Sequence, residues 1–174
     1  MNSSKKVRLL CLTALLLAMN IIMSSSVMSI PVPGGHMYLN DLIIAIAAVL
    51  LDPLHAFVVG GIGAFLGDLL FYPTPMFVSL VTHGLQAVVI SLCTRKLFGG
   101  KRPVPASVIG CVLGLIITVA GYSFGRAYIY GTPEYAIIKF PYQVLQTTVG
   151  EALALLLCWS CGLVRIFKKQ FPEF

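Results

Sequence analysis

The chain has 174 residues, 58% hydrophobic and only 10% charged, with a mean hydropathy of +0.94. A soluble domain carries about a quarter charged residues, so this composition excludes one and points to an integral membrane protein. The formal charge of +6 comes from Lys and Arg in the gaps between apolar runs; this distribution orients a chain in a bilayer, and nucleic acid is not an expected partner.

The N-terminal basic residues Lys5, Lys6 and Arg8 precede an apolar run to Met23, an arrangement shared with signal peptides. Ser24-Ser25-Ser26 offers no small-x-small cleavage pattern, and the run is long enough to span, so it is predicted to remain as a first helix over about 7–26, with its N-terminus inside. Ser29–Leu39 has two prolines and two glycines yet stays apolar, and is expected to fold back over the outer end of the bundle. His36 and Tyr38 in it are candidates for a lid or for interfacial anchors.

The stretch from Asn40 to Leu70 reads as a membrane hairpin turned at Asp52-Pro53. Asn40 is the expected N-cap and Asp41 a first-turn acid of a short second helix, about 40–51. Asp52 is expected to cap a third helix, about 53–71, with Pro53 at its first position. Tyr72-Pro-Thr-Pro75 ends it. A fourth helix covers about 76–98 and a fifth about 104–129, separated by Gly99-Gly-Lys-Arg-Pro103. Gly131-Thr-Pro-Glu134 reads as a break, with the sixth helix starting at Phe140-Pro141 and covering about 140–167. The predicted fold is thus an all-α integral membrane protein, a single compact bundle of six transmembrane helices with both termini cytoplasmic. Ten of the twelve Lys and Arg then fall inside, leaving Arg126 and Lys139 toward the outside.

In this topology the polar residues gather in the outer half. Asp41 and Asp68 lie near the outer ends of helices two and three. His83 and Gln86 (i,i+3), Tyr122 and Arg126 (i,i+4), and Gln143 and Gln146 (i,i+3) each share one helical face. Uncompensated polar groups in hydrocarbon cost several kcal/mol, so such pairs face a wet cavity or one another. The expectation is an outward-facing pocket closed at its inner end. A second reading is a polar network that only ties helices together, at about 1 kcal/mol per bond. Both stand for Asp68, which follows the close-packing Gly63-Ala-Phe-Leu-Gly67 spacing. Arg126 can anchor a ligand or snorkel to the surface. Glu151, near the midplane, has no evident partner and is assigned no role.

The cysteines Cys11, Cys93, Cys111, Cys158 and Cys161 are odd in number and lie in or beside apolar segments, so neither disulfides nor a metal is expected. Cys158-Trp-Ser-Cys161 lacks histidine or basic neighbours and reads as packing. Gly60–Gly67 lacks the Gly-Lys-Ser/Thr of a phosphate-cradling loop, so the chain has no nucleotide site, and no cofactor is expected.

Tyr38-Leu-Asn-Asp41, the Ala-Ala-Val-Leu-Leu-Asp-Pro turn at 47–53, Gly60-Gly-Ile-Gly63 with Gly67-Asp68, and Gly121-Tyr122 through Tyr130-Gly131 to Pro141 and Gln146 carry a resemblance over almost the whole chain. It resembles the substrate-binding S component of energy-coupling factor (ECF) vitamin importers, in the branch around riboflavin, hydroxymethylpyrimidine and vitamin B6. Ala14-Leu-Leu-Leu-Ala18 is similar to the family's small-xxx-small motif, which implies docking on a transmembrane coupling subunit, the T component. The resemblance further implies a prokaryotic-type plasma-membrane protein that captures a vitamin from outside and relies on two cytoplasmic ATPases for energy, so it is a transport subunit and not an enzyme.

The substrate-binding residues expected on these grounds are His36, Tyr38, Asn40, Asp41, Asp68, His83, Gln86, Tyr122, Arg126, Gln143 and Gln146. The resemblance implies a pyridine or pyrimidine vitamin. Four positions differ from the small-ring members: His83 replaces a common lysine, Gln86 and Arg126 replace acids, and Gln143 replaces an asparagine. Loss of acids with gain of Arg126 suits an acceptor-rich or anionic ligand, so a corrinoid or pantothenate stays open. Two other classes compete: a structural or assembly subunit, and an intramembrane enzyme, against which His83 has no Asp, Glu or His at i±3 or i±4.

Overall fold

The computed structural model describes residues 3–25, 28–33 and 35–171; Ser26, at the predicted end of the first helix, lies outside the described residues. The protein is an all-α membrane protein with one small hairpin. In chain order it has α1 (Ser3–Met23), strands β1 (Ile30–Val32) and β2 (Gly35–Met37), α2 (Asn40–Leu50), α3 (Pro53–Phe57), α4 (Gly63–Phe71), α5 (Met76–Lys96), α6 (Pro103–Tyr128), α7 (Pro133–Leu155) and α8 (Leu163–Gln170). The antiparallel strands place Pro31 opposite His36.

Among the described residues, four helices are long and apolar enough to cross a membrane: Lys5–Met23, Pro53–Phe71, Met76–Gly100 and Pro103–Tyr128. Pro133–Ser160 with α8 makes a fifth if its 58° bend is counted within one span. Large apolar side chains face outward, among them Leu10, Leu15, Ile22, Phe77, Val81, Ile116 and Phe124. The interior meanwhile holds Asn20, Asp41, His83, Gln86, Arg126, Lys139, Gln143, Gln146 and Glu151. An apolar surface around a partly polar interior is what lipid as solvent imposes.

The short helix α2, of 11 residues, is the hub. Its length of about 16 Å falls well short of a ~30 Å hydrocarbon layer. It is buried along nearly its whole length and packs against α1, α5 and α7. Asn40 does not cap it: Leu39 precedes the helix without a side-chain cap, and Asn40 lies in the first turn with Oδ1 unpartnered among the described residues. The C-terminal carbonyls of α2 are tied down instead, Leu50 by Arg95 Nη2 at 2.7 Å and Leu51 by Ser91 Oγ at 2.7 Å and Arg95 Nε at 3.1 Å. Asp52 then caps α3, accepting from the His55 N–H at 3.2 Å with Pro53 at the first helical position.

A wide π turn at Val58–Ile62 joins α3 to α4 within one continuous span, and the Val59 carbonyl inside it accepts from Asn20 Nδ2 of α1 at 2.6 Å. Gly63 and Gly67 let α4 lie directly on α1, since a Cβ on either would come within 2.6 Å of Asn20 or Ser24. On α6, Gly121 gives the same close approach to Thr82 of α5.

The last long helix starts earlier than predicted. Thr132 is its N-cap, accepting from the Tyr135 N–H at 3.3 Å, Pro133 takes the first position and Glu134 stands in the first turn. Gly131-Thr-Pro-Glu134, read as a break, is therefore a helix start. Pro141 lies inside α7. At the other end, a π turn at Leu156–Ser160 and the left-handed Gly162 (φ +78°) release the chain into α8.

The two ends of the bundle differ. One carries the hairpin and the α4–α5 and α6–α7 turns; the other carries Arg95, Lys96, Lys101, Arg102, Arg165, Lys168 and Lys169. Toward the basic end the interior is aliphatic, built on Ile43 to Leu51 with Ile90, Cys158, Val164 and Phe167.

Candidate functional site

At the hairpin end a cavity of about 200 Å³ opens between β2, the ends of α4 and α6, and the start of α7. Its walls are mainly aromatic: Tyr38, Tyr72, Tyr122, Tyr130 and Tyr135, with His36. Asp68, Arg126 and Lys139 bring charge to it.

The hairpin is held over this cavity by its backbone. Gly35 adopts φ +124°, and a Cβ there would meet the Tyr135 hydroxyl at 3.3 Å. Lys139 Nζ donates to the His36 carbonyl at 2.6 Å, and the Tyr38 N–H donates to Gln146 Oε1 at 3.0 Å. The conformation-setting residue is thus a glycine, and two contacts with α7 are made through main-chain atoms.

Asp68 accepts from Ser79 Oγ, which also bonds the Tyr122 hydroxyl. The Arg126 guanidinium stacks over the Tyr122 ring, 5.1 Å from its centroid, a cation–π contact. Arg126 Nη2 donates to Gln143 Oε1 at 2.7 Å, which fixes the amide orientation. Each member of this pair then keeps one buried donor with no acceptor among the described residues, Arg126 Nη1 and Gln143 Nε2. Arg126 is 6% exposed and Lys139 3%, and neither lies within ion-pair distance of a carboxylate among the described residues. The neighbouring tyrosines do not serve as counter-ions: burial, with a further contribution from Asp68, pushes the Tyr38 hydroxyl pKa up, and burial does the same at Tyr130.

Beneath the cavity lies a second polar group. Gln86 Nε2 donates to Asp41 Oδ1 and Glu151 Oε1, both at 3.0 Å, while its Oε1 pairs with His83 Nδ1 at 2.7 Å. Gln146 Nε2 donates to Asp41 Oδ2 at 2.9 Å. His83 meets the Tyr122 ring edge-on, with centroids 5.3 Å apart. Gln86 has both its donor and its acceptor engaged, so this network joins α2, α5 and α7 as a closed plug. Glu151, without an evident partner in the sequence, is part of it.

The eleven expected residues therefore separate. His36, Tyr38, Asp68, Tyr122 and Arg126 line the cavity. Gln143 and Gln146 brace it from behind, whereas Asp41, His83 and Gln86 belong to the plug and Asn40 is buried away from the cavity lining. Sequence reasoning missed Tyr72, Tyr130, Tyr135 and Lys139. Lys139 was legible once α7 is started at Pro133, because Tyr135, Lys139, Gln143 and Gln146 then follow one helical face at spacings of four, four and three. Ala14 and Ala18 lie elsewhere, on the exposed side of α1.

A family profile for the S component of ECF-type riboflavin transporters matches residues 4–161. The chain is also similar to a Pyrococcus woesei protein described as an uncharacterized protein in the gap 3′ region, 32% identical over 143 residues, which span 81% of this chain and 89% of that protein. With the match running from the first helix to the last π turn, the chain belongs to the ECF-type riboflavin transporter S component family, multi-pass cell-membrane transport subunits that are not enzymes.

Proposed function

We propose that this protein captures a small-ring vitamin or vitamin precursor from outside the cell in the hairpin-end cavity. It then delivers the ligand inward through a T component driven by two cytoplasmic ATPases. The observation that carries this reading is the cavity itself, aromatic-walled and placed at the end opposite the basic residues. Positive-inside bias puts those basic residues, and with them both termini, in the cytoplasm and turns the cavity outward. Six crossings satisfy that orientation if α2 with its flanking turns counts as one.

The family description names riboflavin. A cavity of about 200 Å³ is below the roughly 300 Å³ at which pockets begin to enclose drug-sized ligands, which favours a pyridine or pyrimidine vitamin over a flavin or a corrinoid. For partner docking, Ala14 and Ala18 give α1 a shallow strip between exposed Leu10, Leu15 and Ile22, suited to close contact with another helix.

Mild solubilisation from cells grown with mixed vitamins, followed by mass identification of the released ligand, tests the reading. A single-ring compound in stoichiometric amount, with T component and ATPases co-isolating, is the expected result. An empty protein without those partners overturns it. Ala14→Trp should abolish uptake and complex formation while leaving ligand affinity unchanged; loss of affinity would put α1 in the cavity wall.

A further inference from the structure

Resting on that reading, we infer that the ligand is a planar single-ring compound bearing an oxyanion, a carboxylate or a phosphate, which seats against Arg126 and Lys139. The family's riboflavin has no such group, so the inference concerns what distinguishes this chain's pocket.

Charge balance gives the first argument. Arg126 and Lys139 are both more than nine-tenths buried and both line the cavity, yet neither has a carboxylate within ion-pair distance among the described residues. Asp68 is the single acid in the lining, and Ser79 Oγ, itself bonded to Tyr122, already donates to it. Two buried cations against one engaged carboxylate leave the cavity short of negative charge, and burying a charge without a partner is costly.

Hydrogen-bond valence gives an independent argument. Among the residues lining the cavity, Arg126 alone carries a buried polar side-chain atom with no partner among the described residues, and that atom is a donor. The next unpartnered atom, Gln143 Nε2, belongs to the amide braced against Arg126 and is also a donor. A neutral ring amine would leave both unpaired, whereas an oxyanion presents several lone pairs to a guanidinium in the geometry it favours. The ring has its own place: Tyr38, Tyr72, Tyr122, Tyr130 and Tyr135 supply flat faces and hydroxyls, and the cavity of about 200 Å³ suits a body of one ring.

The test uses the full-length protein in detergent and isothermal titration with two matched pairs and one control: pyridine-3-carboxylate against pyridine-3-carboxamide, pyridoxine 5′-phosphate against pyridoxine, and riboflavin. One oxyanion should bind at least roughly tenfold more tightly than its neutral partner, as a charge-assisted bond implies. Which pair shows the preference separates carboxylate from phosphate. Arg126→Gln should remove most of the preference, and Arg126→Lys, which keeps the charge but not the fork, should retain part of it.

Neutral members or riboflavin binding as tightly as the oxyanions would overturn the inference and leave the transport reading standing. If no probe binds, the compound released from the isolated protein decides. An oxyanion with one ring upholds the inference, and a neutral compound overturns it. A protein that carries nothing and binds nothing overturns the transport reading as well.

Discussion

The cavity and the plug beneath it are built from similar residues at neighbouring depths, yet they differ in how their hydrogen-bond capacity is used. In the plug, Gln86 serves two carboxylates with one amide nitrogen and takes His83 on its oxygen, while Gln146 serves Asp41 and the hairpin. In the cavity, Arg126 and Gln143 bond each other and each retains an unused donor. A saturated network holds helices together and gains nothing from a ligand, whereas an unsaturated one is stabilised by whatever completes it.

The difference is open to direct attack. The largest effect should follow from Gln86→Leu, which strands Glu151 in a buried site, leaves His83 without its amide partner and leaves Asp41 only its bond from Gln146; an apparent loss of about 3 kcal/mol or more is expected from the unsatisfied groups. Thermal unfolding in detergent measures it, and an unchanged midpoint would mean the plug is not structural. Arg126→Ala should do the reverse, weakening ligand binding by about 1.5–3 kcal/mol, some ten- to hundredfold, with little change in the unfolding midpoint of the empty protein. If instead the empty protein is strongly destabilised, Arg126 belongs with the plug. The smallest effect should come from Lys139→Met, which removes the second cation facing the oxyanion, one without the guanidinium fork, together with one bond to the hairpin backbone: affinity should fall by about 1 kcal/mol, and amide exchange in residues 35–38 should quicken. Unaltered exchange there would show that Gly35 and Gln146 suffice to hold the hairpin.

Much of the fold was legible because lipid demands long apolar runs, and Pro and Gly punctuate them at Asp52-Pro53, Tyr72–Pro75 and Gly99–Pro103. The start of α7 was not. Thr132-Pro133-Glu134 carries both a break signal and a capping signal, and Phe140-Pro141 drew the start about seven residues later than Pro133. That one displacement hid Lys139 and Tyr135, which then counted as loop residues. The spacings put His83 with Gln86 and Tyr122 with Arg126 on shared faces, but periodicity gives a face and not the neighbour opposite. Whether a face meets Asp41 and Glu151 or an open cavity depends on close contacts between non-sequential helices, and these are set by glycines such as Gly114, where a Cβ would meet Glu151 Oε1 at 2.9 Å. The tyrosines of the wall come from three separate turns and helix ends, so no single window of sequence contains the site.

The π turn at Val58–Ile62 bears on how this span can evolve. A wide turn accommodates one residue more than an α-helical turn, so the phase of the helix before it does not carry through to Asp68. The turn takes up that extra residue without turning the helix that follows, so deleting a single residue there would restore a regular helix and leave Asp68 on the cavity and Gly63 and Gly67 on α1. Deleting one residue in the regular helix after it, between 63 and 67, would instead rotate everything downstream by about 100° and swing Asp68 off the cavity. In alignments of relatives, a one-position gap inside 58–62 would therefore leave the pocket face unchanged, whereas a gap just after it would mark a change of pocket where every pocket residue looks preserved.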